Sequence, residues 1–499
     1  MCSQSIYNII REAMNDEGRL PRNFELLHEE TAPNEIKFIA GAKDGIGVFH
    51  MSPKKPEQVV EKILNFIKSG RMEKIAPVIR MYSVLQIIDP LLAVIRENAV
   101  KVDLASVGAY AESLAFESDD EELVKLGIAL LGLFDWSDSP EMQNKIVTLG
   151  LYEEFTLYAV VAAGGWDNGN DVIFQIVQKV DGWGKIHAVE RLKPETDEIR
   201  EWILRDGCSN AVMDAYLGLE CANKGDLIGV LLRDSLDVGL FESIGIIIDA
   251  LLDEGPVEGI SAYEHAEEAL LRYLQFAKTY AFSLKHLWRV LNVGLFLDGD
   301  ELSNKEELLR LCAEISGRPA WREQIMSTLS DPDNEDFFYA DNTASRLNID
   351  VTDLIYQAIK KDPIKNVGYM SQVFRNADYA RELTALYEKV LPLDEMAAGM
   401  GDYLFSPSLN QEYNCLDSIL QELKAYPLVG ERLVRTGLQS PVTRNRNFAC
   451  SVLEEWSKTL GRSASSFSPD LYAALRGVAA VEVNAYTKKT MTNLIKWDK

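Results

Sequence analysis

Two tryptophans, a histidine, a glutamate and an arginine come nearest to a chemical site in this sequence. In Asp181-Gly182-Trp183-Gly184-Lys185-Ile186-His187-Ala188-Val189-Glu190-Arg191-Leu192, His187 has Glu190 and Arg191 at i+3 and i+4. On a helix those three side chains share one face. Trp202 follows in the next apolar-striped segment. Read for function, Trp183, His187, Glu190, Arg191 and Trp202 outline an aromatic groove between helices, with a titratable base in it. Read for structure, the same residues are a core histidine tied to its neighbours beneath packed tryptophans.

Other arrangements fall short of the chemistry they suggest. Di-iron carboxylate sites need two Glu-x-x-His pairs and two further inward glutamates; the chain has one such pair, Glu25 and His28. His265 has Glu264, Glu267 and Glu268 beside it, but not at that spacing. No HExxH is present for zinc. The acidic stretches Asp298-Gly299-Asp300 and Asp331-Pro332-Asp333-Asn334-Glu335 lack the glycine and closing glutamate of a calcium loop, so they read as solvated turns. No metal site is expected. Gly164-Gly165-Trp166-Asp167-Asn168-Gly169-Asn170 is glycine-rich without the lysine and hydroxyl that would hold phosphate and magnesium, and reads as a long turn. Cys208 comes nearest to a haem-thiolate loop, yet Arg205-Asp206-Gly207-Cys208 reads as a helix end closed by glycine.

The elements that must position these residues are helices. The chain has 499 residues, 47% of them hydrophobic, too many for one ordinary core and enough to bury several layers. Apolar residues recur at helical spacing: Ile199, Trp202 and Ile203; Phe241, Ile244, Ile248 and Leu251; Leu308, Leu309, Cys312 and Ile315; Val452, Leu453, Trp456 and Leu460. Ser139-Pro140, Ser406-Pro407, Ser440-Pro441 and Ser468-Pro469 place a hydroxyl to cap an orphan amide and a proline at the first helical position. Ser118 with Glu121, and Ser303 with Glu306, fit the capping box. Short helices joined by short turns over hundreds of residues predict an all-α chain of stacked antiparallel helix pairs, a HEAT- or armadillo-like α-solenoid over residues 56–499. Residues 1–55 differ. They predict a short helix from Ile6 to Met14 and a β-hairpin in which Ile36-Lys37-Phe38-Ile39 and Ile46 to His50 flank Ala40 to Gly45, together capping the stack.

Charge and cysteine usage narrow the setting. With 77 acidic against 51 basic residues the formal charge is −26, which disfavours phosphate backbones and anionic membrane surfaces as partners. The six cysteines form no CxxC pair, and five sit in stretches that read as helix, as expected of core thiols in a reducing compartment. The N-terminal residues do not form a signal sequence, and apolar runs such as Leu157 to Gly165 are too short to span a bilayer. A cytoplasmic location is expected.

Several of these stretches also carry a family likeness. Gly182 to Leu192, Glu201-Trp202-Ile203-Leu204-Arg205, Val212 to Leu217, and Gly41-Ala42-Lys43-Asp44-Gly45-Ile46 with His50-Met51 resemble a family of bacterial proteins named limonene hydroxylase. The resemblance implies a monooxygenase that inserts one oxygen atom into an allylic C–H bond of a monoterpene, with reduced nicotinamide, NAD(P)H, as electron donor. It carries no catalytic residues with it. The residues by themselves suggest the alternative of a non-catalytic scaffold that grips another protein, the common use of stacked helices.

Overall fold

The computed structural model describes residues 4–26, 38–51, 56–255, 257–299, 302–401 and 411–496. The described residues are helical throughout, without a strand, and divide into two compact units that part between Arg318 and Pro319. Among them no helix is long and apolar enough to cross a membrane.

The first unit opens with α1 (Ile6–Ala13), α2 (Ala42–His50), α3 (Glu57–Lys68), the short α4 (Ala76–Ile79) and α5 (Val84–Glu97). Then come α6 (Leu104–Glu117), α7 (Glu121–Leu131), α8 (Pro140–Gly150), α9 (Glu153–Ala163), α10 (Gly169–Val177) and α11 (Trp183–Arg191). α12 (Asp197–Trp202) passes into a π-helical turn, Ile203–Gly207. The unit is completed by α13 (Ala215–Lys224), α14 (Leu227–Leu231), α15 (Val238–Leu252), α16 (Ala266–Tyr280), α17 (Leu284–Gly299) and α18 (Lys305–Ser316).

Packing follows every second helix. α3, α5, α7, α9, α11, α13, α15 and α17 form one row in which each contacts the next, while α8 with α10, and α14 with α16 and α18, lie alongside. α1 packs on both α6 and α8, and α2 packs on α11. The apolar stripes turn inward as their spacing predicts. Phe241, Ile244, Ile248 and Leu251 are all fully buried, each stabilising the unit by about 1.5 to 3 kcal/mol relative to exposure.

The β-hairpin expected near the N-terminus is not there. Ala42–His50 is a helix, whereas Ile36 and Lys37 fall outside the described residues. Ala42, Asp44 and Gly45 are buried, and the adjacent pair Asp44 and Gly45 departs from the strict alternation of a strand with one buried face. Within the segment expected to join the two strands, Asp44 is a buried ion-pair partner and Gly45 a point of close packing.

Several caps also differ from expectation. Ser139 makes no capping hydrogen bond. Asp120, not Ser118, caps α7 by accepting from the Leu123 amide at 3.2 Å. Ser303 bonds the Glu267 carboxylate, and Asn304 takes the N-cap position of α18. Ser468 does cap its helix, accepting from the Leu471 amide. Cys208 lies beyond the π-turn rather than inside a helix.

His286, on α17, is buried between Phe241 and Phe282 and accepts a hydrogen bond at Nδ1 from the Phe282 amide. Burial, with the Arg289 and Lys285 charges, pushes it down to about 4, although Glu242 Oε1 stands 3.7 Å from Nε2. The unfolded chain protonates this ring near 6.5 and the folded chain does not, so its contribution is complete above pH 6.5. As pH falls from 6.5 to 4, up to about 3 kcal/mol should be lost. His286→Gln should flatten that part of the stability–pH curve in urea unfolding; an unchanged slope would contradict the assignment.

The second unit closes with helices Gln411–Leu423, Glu431–Gln439, Thr443–Leu460, Pro469–Val481 and Ala485–Lys496. Thr443–Leu460 packs on Gln411–Leu423, Glu431–Gln439 and Ala485–Lys496. Its core holds a fully buried ion pair: Arg446 Nε lies 2.7 Å from Glu482 Oε2, and Nη2 3.0 Å from Oε1. Next to it, Asn445 donates to Asp417 at 2.6 Å and accepts from Ser440 at 2.7 Å. Burial raises Asp417 to about 6, against the opposing pull of Asn445 and Arg444. Ser440 is therefore a network member, and Val442 holds the N-cap position instead.

Candidate functional site

The Gly-Trp-Gly motif marks the closest helix junction on α11. Glu153, at the start of α9, accepts from the amides of Asp181, Gly182 and Gly184 at 3.2, 2.6 and 3.4 Å, so its carboxylate caps the positive end of α11. A Cβ at Gly182 would overlap that carboxylate. Gly45 plays the same part on α2, where a Cβ would overlap the Trp183 ring. Gly45→Ala should therefore force α2 away from Trp183 and destabilise the unit by about 1 to 3 kcal/mol. Thermal unfolding with near-UV circular dichroism measures this; a wild-type melt would contradict it.

An ionic cluster lies beside the junction. Lys125, 1% exposed, reaches Asp44 Oδ2 at 2.8 Å, Glu122 Oε1 at 3.1 Å and Glu154 Oε1 at 2.5 Å. Tyr158 donates its hydroxyl to Asp44 at 2.8 Å, and the Gly41 amide donates to Glu154 at 2.6 Å. Burial alone would lower the Lys125 pKa, but the Glu154, Asp44 and Glu122 charges more than offset it and hold the ammonium form. Burial and the Asp44 charge keep Tyr158 a phenol. Lys125 is thus a counter-ion that ties α2, α7 and α9 together, not a base or nucleophile.

Four of the five residues singled out from sequence come together on α11, and the fifth does not. Trp183 and His187 stack with ring centroids 6.2 Å apart, and Phe49 of α2 stacks on His187 at 6.2 Å. Tyr216 packs on Trp183 and Phe49, and its hydroxyl lies 2.7 Å from His50 Nε2. His187 is 1% exposed, and neither ring nitrogen has a hydrogen-bond partner. Glu190 Oε2 stands 3.6 Å from its Nδ1 and 3.1 Å from Arg191 Nη1. Burial pushes Glu190 up, but His187 and Arg191 together hold it below the usual carboxylate range. Trp202 packs edge-on against Phe174, with Lys185 over its ring, and has no ring contact with the Trp183 cluster.

Arg191 faces a second feature, a cleft of about 360 Å³ lined also by Val160, Val161, Trp166, Ile173 and Lys193. The turn expected over Gly164 to Asn170 spans residues 164–168 between α9 and α10; Gly169 and Asn170 already belong to α10. Asn170 staples that turn to the following chain by donating to the Lys193 carbonyl at 3.0 Å and accepting from its amide at 2.9 Å.

No protein-family model matches the chain, and no curated protein matches it. The chemistry must therefore be judged on the side chains. Among the described residues, no group of three His, Cys, Asp or Glu is placed to hold a metal ion; His28, of the single Glu-x-x-His pair, lies outside them. The Asp44, Glu122 and Glu154 carboxylates already surround Lys125. Cys208 donates to the Asp214 carbonyl at 3.7 Å, Cys221 and burial push its thiol up, and burial pushes Cys312, Cys415 and Cys450 each up to about 12. These thiols are core groups, not thiolate ligands. In the glycine-rich turn, a Cβ at Gly169 would overlap the Ala163 carbonyl, so that glycine serves chain packing rather than a phosphate cradle. Among the described residues, these carboxylates and thiols do not fit a metal or a haem thiolate, and the glycine-rich turn does not fit a phosphate.

Sequence reasoning missed the Lys125 cluster. Its signal was a lysine inside Leu123-Val124-Lys125-Leu126-Gly127-Ile128, facing tandem Glu153-Glu154 at the head of another apolar helix.

Proposed function

We propose that the protein is a non-catalytic α-solenoid scaffold of the cytoplasm whose first unit holds a protein partner. The observation that carries this reading is the row from α3 to α17, in which each helix packs on the next but one in sequence. Such repetition extends a surface without building a closed active site. The Glu153 and Glu154 carboxylates of the α2–α9–α11 junction are directed at neighbouring helices, Glu153 on α11 and Glu154 on Lys125. The charge of −26 favours a partner with a basic face. Immobilised protein should retain a basic protein from cytoplasmic extract in stoichiometric amount and release it at raised salt. Repeated recovery of no partner would overturn the reading.

The second reading is NAD(P)H-dependent hydroxylation of limonene. It is favoured by one observation: three of the stretches that resemble limonene hydroxylase meet, Gly45 against Trp183 and His50 against Tyr216. Dioxygen chemistry on a hydrocarbon needs a metal, haem or flavin, and no step is derived through one because the donor sets do not fit. Limonene-dependent NAD(P)H consumption with formation of the alcohol would establish this reading and displace the scaffold.

A further inference from the structure

The cleft beside Arg191 has the makings of a ligand site independent of any protein partner. Its volume, about 360 Å³, lies at the small end of the range for small-molecule pockets. Val160, Val161 and Ile173 supply apolar wall, and the Trp166 side chain completes it. Trp166 is 5% exposed, yet its indole N–H is buried without an acceptor. That nitrogen is closed off from solvent, so Trp166 adds apolar ring surface to the lining.

The charges indicate the polar end of the ligand. Among the described residues Arg191 uses only Nη1, donating to the His187 carbonyl at 2.9 Å and to Glu190 at 3.1 Å, so Nε and Nη2 remain for a ligand. Lys193 adds a second cation at the rim. Of the two acids there, Glu195 is already engaged by Asn170 at 3.2 Å and by Lys193 at 3.9 Å, and Asp167 is exposed to solvent. Arg191 Nε and Nη2 are the donors left to a ligand, and a guanidinium pairs best with a planar carboxylate.

We infer that this cleft binds a small amphipathic carboxylic acid, with its carboxylate on Arg191 and its hydrocarbon body against Val160, Val161, Ile173 and Trp166. A pure hydrocarbon would leave Arg191 Nε and Nη2 without an acceptor in the cleft. Hexanoate is the probe, compared with hexanol and hexylamine by isothermal titration on the full chain. Hexanoate should bind saturably and at least about tenfold more tightly than either analogue. Arg191→Gln should weaken hexanoate about tenfold or more and leave hexanol unchanged. Val161, 48% exposed on the wall, offers a variant that does not depend on Arg191 for folding; Val161→Asp should repel hexanoate while the melting curve stays as in wild type. Failure of hexanoate to saturate, equal binding of hexylamine, or hexanoate affinity unchanged in a folded Arg191→Gln or Val161→Asp protein would each overturn the inference.

Discussion

Lys125→Met is expected to destabilise the first unit by about 3 to 5 kcal/mol, because it leaves three carboxylates facing one another without their cation. Asp44 and Lys125 are both almost wholly buried, and Glu154 nearly so. Removing one partner of a buried pair costs far more than the pair contributes over an apolar replacement. The same substitution should therefore be partly rescued by Asp44→Asn, which deletes one of the stranded charges yet still offers Tyr158 an acceptor. Urea unfolding of the single and double variants gives both numbers. A loss below about 1 kcal/mol, in the range of a surface pair, would mean that the cluster is solvated and does not hold α2 against α7 and α9.

Arg446→Met should have a comparable effect in the second unit, about 3 to 5 kcal/mol. All five guanidinium N–H donors are used: on both Glu482 oxygens, on the Ser440 and Pro441 carbonyls, and on the Thr443 hydroxyl. Arg446→Lys should fail to restore the loss, since an ammonium lacks the planar fork that spans these acceptors. Replacing Arg446 and Glu482 together by leucine should recover much of it, because no charge is then stranded in the core. Urea unfolding decides between these outcomes. Full activity of Arg446→Lys in stabilising the fold would show that charge alone, not the bidentate geometry, matters here.

The helical character was legible because apolar spacing and burial coincide. Phe241, Ile244, Ile248 and Leu251 read as one face and are one face. Residues 36–50 misled because an Asp-Gly pair between apolar runs is a local turn signal, whereas Asp44 and Gly45 answer to Lys125 and Trp183, which are distant in sequence. Tertiary partners overrode local propensity. The candidate site divided in the same way. Spacing of i+3 and i+4 placed His187, Glu190 and Arg191 together because it is a property of one helix. Trp202 lies on another helix, and nothing in the local pattern could say that Phe174 would take it. The caps at Ser118, Ser303 and Ser440 failed because a hydroxyl near a helix start has competing partners, Glu267 and Asn445 among them.

What separates a scaffold from an oxygenase is a cofactor. The protein purified from its own cells, without added metal or cofactor, should give an absorption spectrum of aromatic side chains alone and no metal in stoichiometric amount. A haem, flavin or metal band at one equivalent per chain, lost together with limonene-dependent NAD(P)H consumption, would contradict the account.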